Sequence, residues 1–331
     1  MKAALKIQKK TKKLVCIFLF CFAAYIYAQD YIYGITVDDS WYEHVKLSHI
    51  IDGIKDMPVK PTVRIVMSKN TDMEEYRFLF KRIHEYAYIM ACPVDSYEMK
   101  SYKSVHAYRK RFEKAYAYLA PYTDMWEIGN EVNGENWLGK NPQFIADKIT
   151  AAYDVISAHG GKTVLTSYYT PPAVQKIEMT DWLSAYIPRR LKEGVDYLFV
   201  SYYEDDNGGF LPDWQRIFTQ LQLLFPNSKL GIGECGNTAA DATEKTKIQT
   251  VKRYYTMPDY TENFVGGGFW WYWVQDCIPH KDNPVWEAIN KCISENPHTK
   301  KRAQKKLTNP VHQRPAPLFL FFARIYFPLY S

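Results

Sequence analysis

No apolar run in the 331 residues reaches the roughly 20 needed to cross a bilayer as one helix. There is no Cys-x-x-Cys pair and no histidine-rich spacing, so nothing points to a metal site. No Gly-x-Gly-x-x-Gly follows the first strand-like run. Gly266-Gly267-Gly268 precedes a strand-like run instead of opening a helix, which argues against a dinucleotide site. A linker and a second domain are also missing. So is a basic surface, despite a net charge of +6. Residues 1–28 hold six basic groups and residues 300–331 hold seven, neither segment with an acid. The stretch between them therefore carries 29 basic residues against 36 acidic, a net of −7. A mildly acidic core argues against a phosphate-binding surface, and no nucleic-acid partner is expected.

The two ends differ from the rest. Six lysines precede the apolar run Leu14–Tyr27, which closes on Ala28-Gln29-Asp30. A basic start, a short apolar stretch and a small residue before the polar chain read as a signal peptide over 1–28. The protein is then secreted or periplasmic; an uncleaved N-terminus acting as a membrane anchor is the alternative. The far end, 300–331, is basic and then apolar (LFLFFARIYFPLYS), and is read as lying outside the fold.

The intervening 29–299 is sized for one (β/α)8 barrel, typically about 250 residues. Eight strand-like runs alternate with helical patterns: 31–37, 62–67, 86–91, 125–130, 163–167, 197–202, 229–233 and 268–273. Ser40–Lys55 reads as a helix, Thr71–Glu74 as a capping box, and Asn141-Pro142 as a cap with a first-turn proline. Near-continuously apolar strands imply a parallel sheet covered on both faces, and eight units imply closure into a single TIM barrel. Cys277 and Cys292 are spaced either to bridge in an oxidising compartment or to remain buried thiols with Cys92 and Cys235.

In such barrels the chemistry sits at the C-terminal ends of the strands. Strand four ends in Asn130-Glu131 and strand seven in Glu234, while strand two carries Arg64. Tyr202 and Tyr203 close strand six, and strand eight holds Trp270, Trp271 and Trp273. Two carboxyls at one mouth suit glycoside cleavage with retention, which needs them about 5–5.5 Å apart, one protonated and one ionised. Arg64 and a tyrosine favour the ionised form of Glu234; that charge in turn raises the pKa of Glu131. Glu127 competes with Glu131 for the catalytic role but is read as a buried residue paired with Arg64 or a lysine, and Cys235 as a packed thiol. Asp38, Asp39, Asp205 and Asp206 are read as solvated loop charges, with binding of sugar hydroxyls as the alternative, and His280 as a surface loop residue.

WEIGNEVNG at Trp126–Gly134, GIGECG at Gly231–Gly236 and GFWWYW at Gly268–Trp273 together resemble the clan A glycoside hydrolases. The resemblance implies Glu131 as acid/base, Glu234 as nucleophile, and Asn130 as a donor to the sugar hydroxyl beside the anomeric carbon. It implies Arg64 as the strand-two arginine, with Trp271 or Trp273 as a floor under the sugar. Tyr202 and Tyr203 are the remaining candidate substrate contacts. The expectation is a monomeric retaining glycosidase that needs carbohydrate and water but no cofactor; a barrel that binds sugar without turnover is the competing reading.

Overall fold

The computed structural model describes residues 31–308 except 39, 40, 42, 43, 135 and 136, and without the side chains of 302, 303 and 305–308. The signal peptide expected over 1–28, the tail from 309 onward and Asp39 lie outside the described residues.

Eight parallel strands close into one barrel in sequence order: β1 Ile32–Val37, β2 Thr62–Val66, β3 Tyr88–Cys92, β4 Met125–Gly129, β5 Thr163–Tyr168, β6 Tyr197–Ser201, β7 Lys229–Glu234 and β8 Phe264–Trp270. Seven of these match the sequence reading within two residues, because strands buried on both faces read as unbroken apolar runs. Side chains alternate across each strand. Ile32, Met90, Met125, Val164, Phe199 and Phe269 form an apolar plug inside the barrel. A larger core packs between the outer face of the barrel and the helices.

The eighth strand departs from expectation. It begins at Phe264, four residues before the expected start, and ends at Trp270. Gly266, Gly267 and Gly268 lie within it at φ 82°, 101° and 75°. The sequence reading set Gly266 and Gly267 ahead of the strand because they break apolar patterning; their purpose is close approach. A Cβ on Gly267 would sit on the carbonyl oxygen of Ile232 in β7. Gly267→Ala would combine that clash with a backbone region side chains avoid. We expect it to destabilise the fold by at least about 2 kcal/mol in urea titration. A loss below 0.5 kcal/mol would show that the two strands can part.

The helices that follow are α1 Leu47–Lys55, α2 Tyr76–His84, α3 Ser96–Met99, α4 Val105–Leu119, α5 Pro142–Ala158, α6 Met179–Tyr186, α7 Arg189–Gly194, α8 Trp214–Leu224, α9 Glu244–Tyr255, α10 Trp273–Cys277, α11 Pro284–Glu295 and α12 Pro297–Thr308. The cap expected at Asn141 forms, and Ser104 caps α4 in the same way, each side chain accepting from the amide three residues on. Two helices start later than expected. α1 begins at Leu47 and α2 at Tyr76, before which Glu75 accepts from the Asp72 amide and Asp72 accepts from the Glu74 amide in place of a Thr71–Glu74 pair. α12 crosses the expected boundary at 299 and is tied to the barrel at its start. Tyr33 hydrogen-bonds the Thr299 hydroxyl at 2.7 Å and Tyr31 stacks on His298. Among the described residues no helix is long and apolar enough to cross a membrane.

Candidate active site

One buried cation organises the barrel mouth. Arg64 on β2 is fully buried, and its guanidinium donates to two carboxylates. Nε reaches Glu127 Oε2 at 2.8 Å and Nη1 reaches Glu234 Oε2 at 2.7 Å. The Thr166 hydroxyl on β5 donates to the other Glu127 oxygen at 2.5 Å. Glu127 is thus the structural partner of Arg64, as the sequence suggested, and has no opening to the cleft. Removing the cation would leave two buried carboxylates unpaired, which typically costs about 3–5 kcal/mol. Arg64→Met is therefore expected to unfold at markedly lower urea than wild type. A shift under 1 kcal/mol would mean that other donors replace the guanidinium.

The two remaining carboxyls sit in unlike surroundings. The Tyr203 phenol donates to Glu234 Oε1 at 2.6 Å, so Glu234 accepts from a phenol on one oxygen and a cation on the other. Burial pushes the Glu234 carboxyl up to about 7, with Arg64 and Tyr203 pulling against it. Glu131 has neither a cation nor a phenol; the Ser201 hydroxyl donates to its Oε1 at 2.6 Å. Burial, and after it the charge of Glu234, holds its pKa well above the usual carboxylate range. When one proton leaves this pair, Glu234 therefore gives it up first. The backbone adds its own mark: Glu131 adopts φ 49°, a left-handed conformation that costs a non-glycine residue about 1–2 kcal/mol. Strand pairing also slips at this mouth. Val200 pairs with Ile232 but Ser201 with Glu234, so β7 gains a residue at Gly233 and turns Glu234 inward.

Both glutamates line a cavity of about 200 Å³. Its walls are Asp95, Ser96 and Tyr97 after β3, Trp137 after β4, and Tyr168 at the end of β5. Tyr203, Asp206, Thr238, Trp271 and Tyr272 complete them. Of the predicted site residues, Glu131, Glu234, Tyr203 and Trp271 reach this cleft, with Arg64 directly behind; its guanidinium carbon lies 5.5 Å from the Trp271 ring centre. Asn130 is buried and donates from Nδ2 to Asp95 Oδ1 at 3.0 Å, so it meets the cleft through that carboxylate.

Two candidates do not reach it. Tyr202 points into the helix layer: its hydroxyl donates to the Phe210 carbonyl at 2.7 Å and its ring packs edge-on against Trp214. With Tyr203 facing in, the alternation of the chain sends Tyr202 out. Trp273 opens α10 and is fully buried against Gly53 of α1, because the strand ends three residues before it. Trp271 is left as the tryptophan of the mouth.

The other expectations resolve as follows. Asp206 lines the cleft, whereas Asp205 accepts from the Thr238 amide and hydroxyl at 2.7 and 3.0 Å, so neither is merely a solvated loop charge. Asp38 accepts from Gln275 at 3.2 Å. His280 is not on the surface: it is buried, with Nε2 2.8 Å from Asp56 and its ring beside Trp286. All four described cysteines are buried free thiols, Cys277 and Cys292 included. Burial raises the Cys235 thiol, which donates to the Gly268 carbonyl and so suits a packing role. Among the described residues no group of three or more His, Cys, Asp or Glu is arranged to hold a metal ion. Ser201 and Asp95 were missed by the sequence reading; Ser201 lies two residues before Tyr203 on the same face, a signal that period-two reading could have used.

No protein-family model matches the chain, and no curated protein matches it. Solved structures do. Saccharomyces cerevisiae Gas2p in complex with laminaripentaose superposes with a TM-score of 0.53 at 12% identity, over 83% of this chain and 68% of that one. Gas2p with laminaritriose and laminaritetraose gives 0.53 at 13% identity, over 84% and 68%. A broad-specificity GH5-4 endoglucanase from an uncultured bacterium gives 0.51 at 12% identity, over 81% of this chain and 97% of that one. At these identities the likeness bears on the fold, a (β/α)8 barrel.

Proposed function

We propose that the chain is a retaining glycoside hydrolase in which Glu234 is the nucleophile and Glu131 the acid/base. The observation that carries this reading is the unequal pair at the mouth. One glutamate is bonded by Arg64 and Tyr203, and the other is buried without a cation and raised by its neighbour. Such a pair assigns its own roles, because the group that ionises first is the one that attacks.

In the first half-reaction a Glu234 oxygen forms a bond to the anomeric carbon as the bond to the leaving oxygen breaks. Glu131 transfers its proton to that oxygen, and a glycosyl ester of Glu234 remains. In the second half, Glu131, now ionised, takes a proton from water. The water oxygen bonds to the anomeric carbon, and Glu234 departs as a carboxylate. Two inversions give net retention. Arg64 and Tyr203 hold the charge that Glu234 carries before the attack and regains at the end. Trp271, beside the nucleophile, offers a flat face to the sugar ring.

Carbohydrate as substrate is further supported by the laminari-oligosaccharides bound in the Gas2p structures and by the endoglucanase among the fold relatives. The proposal includes export, on the strength of the N-terminal segment alone. Intact mass of the mature chain tests this: loss of residues 1–28 supports it, and a chain starting at Met1 removes it.

Fluorogenic 2-deoxy-2-fluoro glycosides provide the test of mechanism, since they slow the second half-reaction and trap the ester. Peptide mapping is expected to place the label on Glu234. A label on Glu131 or Glu127 would overturn the assignment of roles.

A further inference from the structure

The cleft has two aromatic sides, and they belong to different carboxyls. Trp271 stands with Arg64 and the nucleophile. Across from it, the exposed Tyr97 ring stacks on Trp137 with ring centres 6.0 Å apart and planes at 25°. Trp137 in turn meets Tyr168 edge-on at 5.2 Å. This second platform follows β3, β4 and β5, the side that presents Glu131. Burial and then Glu131, Asp206 and Asp95 raise the Tyr97 phenol, with Glu234 acting more weakly, which agrees with that placement. An acid delivers its proton to the leaving oxygen, so whatever departs must lie on the acid's side.

The same side is rich in acceptors and has no cation. Asp95 and Asp206 border the platform, and none of the lining residues is Lys, Arg or His. Behind Asp95, the buried Asn130 Oδ1 has no donor among the described residues. Arg64 lies behind the cleft wall, bonded to Glu127 and Glu234, and is not itself a lining residue. Aromatic faces flanked by carboxylates are the chemistry that recognises a cation, through the ring quadrupole and through charge. An anionic sugar such as a uronic acid would meet repulsion there.

We propose that Tyr97, Trp137, Asp95 and Asp206 form the subsite of the departing sugar and that it selects a ring bearing a protonated amine. This rests on the glycosidase reading above and adds a substrate class to it.

Two pentaoses that differ only in the substituent at C2 make the test: the fully deacetylated chitosan pentaose, with an amine, and cellopentaose, with a hydroxyl. Binding of each to the full-length Glu234→Gln chain is measured by calorimetry at pH 6. The chitosan pentaose is expected to bind about tenfold more tightly at low salt, and the preference to narrow severalfold in 0.5 M NaCl as charges are screened. Asp206→Asn in the same background should cut the preference to about twofold. Tyr97→Ala should weaken both pentaoses by about tenfold, since a stacking face is lost to each. Equal affinities, binding of neither pentaose, or a preference untouched by both Asp206→Asn and Asp95→Asn would overturn the proposal. So would Tyr97→Ala binding both as well as its parent. Failure of the glycosidase reading shows separately, as a wild-type chain whose Glu234 takes no fluoro-sugar label.

Discussion

Replacing Glu234 by Gln is expected to lower kcat on unactivated glycosides by at least about 10⁴-fold while leaving the fold intact. The amide keeps the shape of the side chain: its oxygen can still accept from Arg64 while its NH2 donates to the Tyr203 phenol oxygen. Arg64 loses one of two carboxylate partners but keeps Glu127 at 2.8 Å. Stability should therefore change little, and circular dichroism with urea titration checks that. What the amide cannot do is form the glycosyl ester, so no residual path uses two inversions. The smaller variant Glu234→Ala opens room beside the anomeric carbon, where azide can attack in a single inversion. Rescue by azide with an inverted glycosyl azide as product is the expected signature. Turnover of Glu234→Gln within tenfold of wild type would end the assignment.

The wild-type pH profile follows from the same pair. Activity needs Glu234 ionised and Glu131 protonated. Glu234 is pushed up to about 7 and Glu131 stands higher, so kcat/KM should rise through about pH 7 and fall again only at more alkaline pH. A profile already flat between pH 5 and 7 would contradict the burial of Glu234.

The parts of this structure that were legible in the sequence are those set by periodicity. Seven strands stood out because both of their faces are buried, and Glu131, Glu234 and Arg64 could be placed because each sits at or on a strand. What failed was local backbone geometry. The three glycines of β8 accept positive φ and a close neighbour, features with no hydrophobic signature, and misplacing that strand is what carried Trp273 into the site. Tyr202 was a failure of another kind, since its outward direction follows from the same alternation that turns Ser201 and Tyr203 inward. Tyr97 and Trp137 lie on loops, where spacing says nothing about direction; only the fold brings them together. His280 was misjudged because a histidine in a Pro- and Asp-rich stretch looks solvated, whereas Asp56 and Trp286 enclose it.

Glu131→Gln should separate catalysis from stability, in opposite directions. Its loss removes the proton donor, so kcat/KM for glycosides with poor leaving groups is expected to fall by about 10²–10⁴-fold. Glycosides of 2,4-dinitrophenol, which leave without a proton, should form the ester nearly as fast as in wild type; the slow step then becomes release of the sugar from Glu234. The alkaline limb of the pH profile should vanish with the group that caused it. Stability should move the other way. The Glu131 carboxyl titrates higher when folded than the roughly 4.3 of an unfolded chain. Between those values the native state binds the extra proton, so wild-type stability falls as pH rises, by about 1.4 kcal/mol per pH unit from this group. Glutamine has no such proton to lose. At pH 4 the two proteins should melt together, and as pH rises above 5 the variant should draw ahead by several degrees. A variant that melts below wild type at pH 8 would mean that the Glu131 carboxylate is stabilised where it sits, by partners beyond Ser201. Its service as the acid would then need another explanation.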